Sequence, residues 1–263
     1  EERFRREHEC EFLIFDETLI SSITLADMEG VTPVETTGQV RWFKRPTPGH
    51  TYLVSLDPSM GTGGDYAAIQ VFELPTFEQV GEWHHNQTPM NQQVRILQGI
   101  NKHIHDTIIE KDSTATPQIF YSMENNTIGE AALMRVMDIG EENIVGMFLS
   151  EPIRKGHRRK FRRGFNTTAK HKIDACTKFK ELVEGGKMKI NSQLLISEMK
   201  DFVASGLSYK AKPGQHDDLV SSCLLMTRMM KVLADFDPKI FEKWTDRTSE
   251  LTTPMPIFGN FYG

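Results

Sequence analysis

Cysteine is scarce in this chain, and long apolar runs are missing. Three cysteines occur among 263 residues, and none belongs to a C-x-x-C pair. The sequence therefore predicts neither a disulfide framework nor a zinc site, and a reducing compartment is expected. No segment approaches the roughly 18 consecutive apolar residues that a membrane span needs, and the charged residues 1–8 do not resemble a signal peptide. We expect a soluble, intracellular protein with no membrane partner.

The sequence also lacks internal repeats, low-complexity segments and a phosphate-binding G-x-x-x-x-G-K-[ST] loop. Its composition, 38% hydrophobic and 25% charged, is that of a globular chain able to bury a core, which excludes disordered and collagen-like classes. Positive charge is in slight deficit, with 31 Lys and Arg against 36 Asp and Glu and a net charge of −5. Taken whole, that balance does not indicate nucleic-acid binding.

The pattern divides the chain into three parts. Residues 1–50 are predicted to form an irregular lead-in that ends in the Pro- and Gly-rich segment 45–50. Residues 51–233 carry the regular hydrophobic patterns of one folded domain, and residues 234–263 are predicted to form a C-terminal tail.

Within 51–233 the hydrophobic pattern predicts a mixed sheet. Strands at 51–56, 66–74 and 77–84 follow one another closely enough to form an antiparallel meander. A helix over 91–111 followed by a strand at 117–124 indicates a crossover, and therefore a parallel strand pair. Further predicted elements are helices at 128–138, 170–184, 194–202 and about 217–233, a strand at 144–148 and an extended piece at 207–209, with a capping-box pattern at Thr127 and Glu130. We predict an α/β fold with helices on both faces of this sheet.

Three acids occupy positions where chemistry is commonly placed. Asp57 ends the first strand of the meander, Glu124 ends the strand after the crossover, and Asp218 opens the last helix. An Asp after a strand is often only a turn residue, and an Asp at a helix start is often a cap. Glu124 is harder to explain structurally, because an unpaired acid is costly at the end of an apolar strand.

Carboxylates that converge without Lys or Arg partners repel one another unless cations neutralise them. Hard oxygen ligands of this kind select Mg²⁺ or Mn²⁺, and two such ions about 3.5–4 Å apart support in-line phosphodiester hydrolysis. The pattern therefore predicts a nuclease, with Asp65, after the Gly-rich loop, as an additional acid. His216 and Asp217 adjoin Asp218 as supporting residues, and Asp217 is a second possible metal ligand at the start of this helix.

Four short motifs in the chain together resemble the C-terminal nuclease domain of the large terminase subunit, the DNA-packaging motor of tailed bacteriophages, most closely the myovirus type. They are LDPSMGTGGDY at 56–66, MENNTIG at 123–129, GFNTTAK at 164–170 and HDDLV at 216–220. The resemblance implies a ribonuclease H-like fold, two bound Mg²⁺ or Mn²⁺ ions, and endonuclease cutting of concatemeric viral DNA. It places the family's acidic triad on Asp57, Glu124 and Asp218, and the additional hairpin acid on Asp65.

The same resemblance implies the partners of this domain. They are double-stranded DNA, an upstream ATPase domain joined through the lead-in, and the portal and small terminase subunit, all in the host-cell cytoplasm. Because the phosphate-binding loop of the motor domain is missing, we expect a nuclease fragment that cuts DNA without translocating it.

One basic segment changes the meaning of the net charge. Residues 154–172 hold nine Lys or Arg and no Asp or Glu. Such a run is usually a solvated loop, but beside a nuclease motif we predict contacts to DNA phosphates that do not depend on base sequence. The predicted contact residues are Arg158, Arg159, Lys160, Arg162, Arg163 and Lys170.

Three further functions are compatible with the residues alone. The Gly-rich hairpin after Asp57 also resembles the phosphate loop of actin-like and sugar-kinase phosphotransferases, although the chain is short for two such lobes. A non-catalytic DNA-docking module would use the same basic segment, and a Holliday-junction resolvase would share the same fold. Five histidines are interpreted as structural or surface residues, namely His84, His85, His103, His105 and His171.

Overall fold

The computed structural model describes residues 18–151 and 163–236, in which one seven-stranded sheet is central. Its strands are β1 (Glu35–Thr37), β2 (Val40–Trp42), β3 (Thr51–Asp57), β4 (Ala67–Leu74), β5 (Glu78–His85), β6 (Gln118–Met123) and β7 (Met147–Phe148). They lie in the order β1-β2-β5-β4-β3-β6-β7. The predicted meander is β3-β4-β5, and β3 pairs with β6 in parallel, as the crossover predicts.

Helices cover both faces of the sheet, which confirms the predicted fold class. They are α1 (Ser22–Asp27), α2 (Met90–Lys111), α3 (Thr127–Ile139), α4 (Ala169–Glu184), α5 (Gln193–Asp201) and α6 (Asp218–Phe236). One hydrophobic core lies between the sheet and α2 and α3, and the other lies between the sheet and the remaining helices. A small hairpin, β8 (Phe202–Ser205) and β9 (Ser208–Ala211), connects α5 to α6.

Side chains along β3 point alternately to the two faces of the sheet, and those on one face hold α6 in place. Tyr52, Val54 and Leu56 belong to the core on the α2 side, whereas Leu53 belongs to the core on the α6 side, because successive strand residues point to opposite faces. Ser55 shares the face of Leu53, and its hydroxyl lies 2.8 Å from that of Ser222 in α6. This buried contact holds the first turns of α6 beside the end of β3, two residues before Asp57.

The segment predicted to be an irregular lead-in contributes α1 and the β1-β2 hairpin, and β2 pairs with β5 at the edge of the main sheet. Strands of three residues are too short to show a period, which is why the pattern missed them. Residues 1–17, 152–162 and 237–263 lie outside the described residues, and with them most of the predicted tail. Across the ranges that are described, no helix is long and apolar enough to cross a membrane.

Two boundaries differ from prediction for local reasons. The helix predicted to start with a Thr127 capping box is capped by Asn126, whose side chain accepts the Gly129 N–H at 2.7 Å, since Asn is among the strongest N-caps. The strand predicted over 144–148 is only Met147–Phe148, because the chain bends over 144–146, where Gly146 has a positive φ of 105°.

Candidate functional site

Asp57 and Glu124 stand at the same edge of the sheet. The parallel register pairs Leu56 with Met123, and the Glu124 N–H donates to the Leu56 carbonyl at 3.2 Å, so both acids leave adjacent strands side by side. Burial raises the pKa of Asp57 well above its usual value, and the negative charges of Glu124 and Asp218 raise it further. The predicted convergence of these acids is therefore present in the fold.

Contacts around the end of β6 hold Glu124 in position. Asn126 donates to Glu124 Oε2 at 3.1 Å. Gly129 in α3 lies so close to the Glu124 carbonyl that an added Cβ would be 1.8 Å from its oxygen. On the other side, Phe165 bridges to Glu124 in parallel, and the Asn125 N–H donates to the Phe165 carbonyl at 2.7 Å. The MENNTIG motif thus supplies the acid, its cap and the close helix approach.

A cleft with a cavity of about 140 Å³ contains both acids. Its lining residues are Asp57, Glu124, Thr167, His171, Lys172, Ala175, Ser221, Leu224, Leu225 and Arg228. Arg228 is only 12% exposed, pairs with Glu151 and donates to Thr167 Oγ1 at 3.0 Å. Lys172 places its Nζ 4.0 Å from an Asp217 oxygen. Acids therefore face cations across one small cleft, which is the charge arrangement expected for binding metal together with phosphate.

Asp217 and Asp218 lie at the start of α6 but face different neighbours. The Asp217 carbonyl accepts the Ser221 N–H at 2.7 Å, and its carboxylate accepts the Ala211 N–H at 3.2 Å. Asp218 has a buried Oδ2 with no hydrogen-bond partner among the described residues. Burial, followed by the charge of Asp217, raises the pKa of Asp218 to about 6.

Asp218 also belongs to a second group, which we call the His84 cluster: His84, Glu198 and Asp218. The ligand atoms of these side chains all lie within 4.8 Å of one another. Burial raises the pKa of Glu198 to about 9, and burial lowers the pKa of His84 to about 4. The sequence alone predicts no role for Glu198 and only a structural or surface role for His84. The sequence feature that could have indicated this site is the acid Glu198, which directly precedes the buried residue Met199 in α5.

The other predicted residues are placed as follows. Asp65 is exposed in the loop between β3 and β4, and its charge acts on Asp218. His216 is 45% exposed, and its Nδ1 lies 3.7 Å from Asp218 Oδ2. Arg163 pairs with Glu141, and Lys170 is exposed in the first turn of α4. Four further predicted contacts, Arg158, Arg159, Lys160 and Arg162, lie outside the described residues.

Comparison with protein families identifies the domain. The family model described as the terminase RNaseH-like domain matches residues 54–229. The chain belongs to this family. The matched range of the terminase domain contains Asp57, Glu124 and Asp218. The resemblance to a terminase nuclease domain is confirmed, and family membership favours that function over the actin-like phosphotransferase.

Solved structures share the fold of this terminase domain. The large terminase nuclease of the thermophilic phage G20c with bound magnesium is 18% identical, has a TM-score of 0.58, and aligns over 80% of this chain and 96% of its own. The nuclease domain of the Thermus phage P74-26 large terminase is 18% identical, with a TM-score of 0.54 and coverage of 78% and 93%. The human cytomegalovirus terminase nuclease domain, soaked in manganese with an inhibitor bound, is 13% identical, with a TM-score of 0.51 and coverage of 86% and 98%. These likenesses confirm the ribonuclease H-like fold.

Proposed function

We propose that this chain is a divalent-metal-dependent endodeoxyribonuclease that cuts concatemeric double-stranded viral DNA during genome packaging. One observation carries the proposal: Asp57 and Glu124 end two hydrogen-bonded parallel strands and open into one cleft of a terminase-family domain. Solved members of the same fold contain magnesium, cobalt or zinc, which supports a divalent cation as the cofactor here.

The donor set of the cleft fits two Mg²⁺ or Mn²⁺ ions. Carboxylate oxygens are the ligands that these hard cations prefer, and a cation relieves the repulsion that raises the pKa of Asp57. Asp57 would serve both ions, with Glu124 and Asp218 each completing one site and Asp65 assisting. Asp218 is favoured over Asp217, because the Asp217 carboxylate already accepts the Ala211 N–H whereas Asp218 Oδ2 has no hydrogen-bond partner among the described residues.

When bound, two such ions activate water and stabilise the attacking and leaving oxygens of phosphodiester hydrolysis. The side chains opposite the acids then bind the substrate. Lys172 and Arg228 present positive charge to a phosphate in the cleft, and the contacts of Arg228 with Glu151 and Thr167 fix its guanidinium in place. His216, beside Asp218, orients that carboxylate.

Outside the cleft, we assign phosphate contacts to the basic segment. Its members are Arg163 and Lys170, together with Arg158, Arg159, Lys160 and Arg162, which lie outside the described residues. We further assign the domain to a packaging motor with an upstream ATPase, a portal and a small terminase subunit, working in the host-cell cytoplasm. Family membership supports this assignment.

Cleavage of supercoiled plasmid tests the proposal. In Mn²⁺ or Mg²⁺ the chain should nick and linearise plasmid, and EDTA should abolish cutting. Asp57→Asn, Glu124→Gln and Asp218→Asn should each reduce the rate by at least ~100-fold, because each removes a ligand of an ion that stabilises the transition state.

Asp106→Asn provides the matched control. Asp106 is an exposed acid on α2, on the opposite side of the sheet, where it pairs with Lys102. Its loss should leave cleavage within a factor of about two of the unmodified chain, since exposed pairs contribute little. Undiminished cutting by all three cleft variants would overturn the proposal.

A further inference from the structure

The His84 cluster brings together three side chains from distant parts of the chain. His84 comes from the end of β5, Glu198 from α5 and Asp218 from the first residue of α6. His84 Nε2 lies 3.6 Å from Glu198 Oε1. The three side chains are only 12%, 11% and 15% exposed. The cluster is therefore a nearly closed set of one imidazole and two carboxylates.

Backbone geometry places His84 and Glu198 beside the cleft, with Asp218 at the border between the two sites. Asp57 pairs with Ala68, and Ala68 pairs with His84, so the three residues form one row across β3, β4 and β5. Directly paired strand residues share a face and lie about 5 Å apart. His84 is therefore two strands, or roughly 10 Å, from Asp57, and α6 starts over the same face.

Each member is held in position by a further contact. Glu198 Oε2 accepts the N–H groups of Leu219 and Val220 at 2.8 and 3.1 Å, which ties it to the first turn of α6. The ring of Tyr66 stacks on His84 with centroids 4.1 Å apart and planes 18° apart. The Tyr66 backbone donates to Asp218. The donors are thus pre-positioned, as metal ligands are by the residues that surround them.

Two atoms that face into the cluster have no hydrogen-bond partner among the described residues. They are His84 Nε2 and Asp218 Oδ2, and both are fully buried. An unpaired buried polar atom destabilises the folded state, and two facing carboxylates add repulsion. Outside the cluster, the charges of Asp217, Asp65 and His216 act on Asp218, and those of Arg41, His216 and His85 act on His84.

We propose that the His84 cluster binds one divalent cation through His84 Nε2, Glu198 and Asp218, apart from the ions of the cleft. The imidazole donor favours Mn²⁺ or Zn²⁺ over Mg²⁺. Donor atoms bound at about 2.1 Å in tetrahedral geometry lie about 3.4 Å apart. The 3.6 Å between His84 Nε2 and Glu198 Oε1 is close to that distance, and binding would draw in the remaining donor, which lies within 4.8 Å of the others. The cation would join β5, α5 and α6, and would fix Asp218 at the border of the cleft.

The test isolates the cluster from the cleft. The double variant Asp57→Asn/Glu124→Gln removes two cleft carboxylates and leaves all three cluster ligands in place. In metal-free buffer this variant should bind one Mn²⁺ per chain, measured by equilibrium dialysis. Pulsed electron paramagnetic resonance should detect ¹⁴N coupling from the imidazole that binds the ion.

Adding His84→Gln or Glu198→Gln should weaken binding by at least ~10-fold, and His84→Gln should abolish the ¹⁴N coupling. Glu198→Gln keeps an oxygen for the Leu219 and Val220 N–H groups, so its fold is preserved. His85→Gln is the control, because His85 lies on the opposite strand face, bonded to Thr88. His216→Gln, which alters the other nearby imidazole, should also leave the coupling unchanged.

Absence of Mn²⁺ binding in the double variant would overturn this inference, as would binding that His84→Gln leaves unchanged. Either result is independent of the proposed function, which is tested by plasmid cleavage with the unmodified cleft. Conversely, a chain that binds Mn²⁺ at the His84 cluster but never cuts DNA would overturn the nuclease proposal alone.

Discussion

The cleft and the His84 cluster share Asp218 at their border, but they are constructed in opposite ways. In the cleft, the acids end adjacent strands, the site is open, and Lys172 and Arg228 line it. In the cluster, the donors come from a strand and two helices, and the site is nearly closed. Open metal sites admit substrate, whereas closed ones stabilise structure. We therefore assign DNA cleavage to the open cleft, and we assign the positioning of α6 to the closed His84 cluster.

Of the substitutions considered, Gly129→Ala should affect the cleft and the His84 cluster most differently. The new Cβ would lie 1.8 Å from the Glu124 carbonyl oxygen, so α3 and the end of β6 must move apart. We expect a loss of about 2–3 kcal/mol in the free energy of unfolding and at least ~100-fold slower cleavage, because Glu124 is displaced. Mn²⁺ binding at the His84 cluster should survive. Denaturant unfolding, plasmid cleavage and dialysis measure the three effects.

Gly99→Ala is the control for this variant. Gly99 lies in α2, and a Cβ there meets nothing within 4 Å. Removing a helical glycine should stabilise the protein by about 0.5–1 kcal/mol and leave cleavage unchanged. Unaltered stability and cutting in Gly129→Ala would show that the close approach of α3 does not position Glu124.

In the absence of metal, the buried Glu198 carboxyl should make the stability of the protein depend on pH. Burial raises the Glu198 pKa from 4.5 to about 9. A raised pKa contributes stability below the unfolded value, and that contribution is lost as the pH rises through the folded value. In EDTA, lowering the pH from 9 to 7 should therefore stabilise the protein by about 2 kcal/mol, or roughly 4–8 °C in Tm. Thermal melts followed by circular dichroism measure this shift.

Glu198→Gln should flatten that dependence, because an amide does not titrate in this range. Saturating Mn²⁺ should flatten it as well, since a bound cation keeps the carboxylate charged. An equally steep pH dependence in Glu198→Gln would assign the effect to another group and weaken the contrast between the two sites.

Lysine substitutions should have smaller effects, which should distinguish a lysine inside the cleft from one on its rim. Lys172→Gln should reduce kcat/KM for DNA about tenfold and lower the slope of log binding against log salt by about one. Lys170→Gln, on the exposed rim, should weaken binding only about two- to threefold. Lys178→Gln is the control, since Lys178 is on the same helix and pairs with Glu181. Equal effects at all three positions would remove any special role for the cleft.

The sequence was most informative where function depends on strand ends. Asp57 and Glu124 could be predicted to meet, because a crossover makes their strands parallel and places both at one edge. The order of the acids and the four motifs also predicted the family. The basic segment could also be identified from the sequence. The presence of Arg228 in the cleft could not, because this residue comes from the middle of α6 and no local pattern connects it with its partner Glu151.

The His84 cluster could not be predicted, for a physical reason. Glu198 is 114 positions from His84, and their contact depends on how α5 packs beneath α6, not on any period or spacing. A histidine at a strand end is ordinarily structural. Only the packed fold shows that the His84 Nε2 is buried without a hydrogen-bond partner among the described residues. The β1-β2 hairpin was missed because strands of three residues carry no detectable alternation.

Crystals soaked in Mn²⁺ and measured at a wavelength where manganese scatters anomalously would show whether the cleft binds the two ions. We expect two peaks in the cleft about 3.5–4 Å apart, with the Asp57 carboxylate bound to both and Glu124 bound to one. A map with no manganese within bonding distance of Asp57 or Glu124 would contradict this expectation.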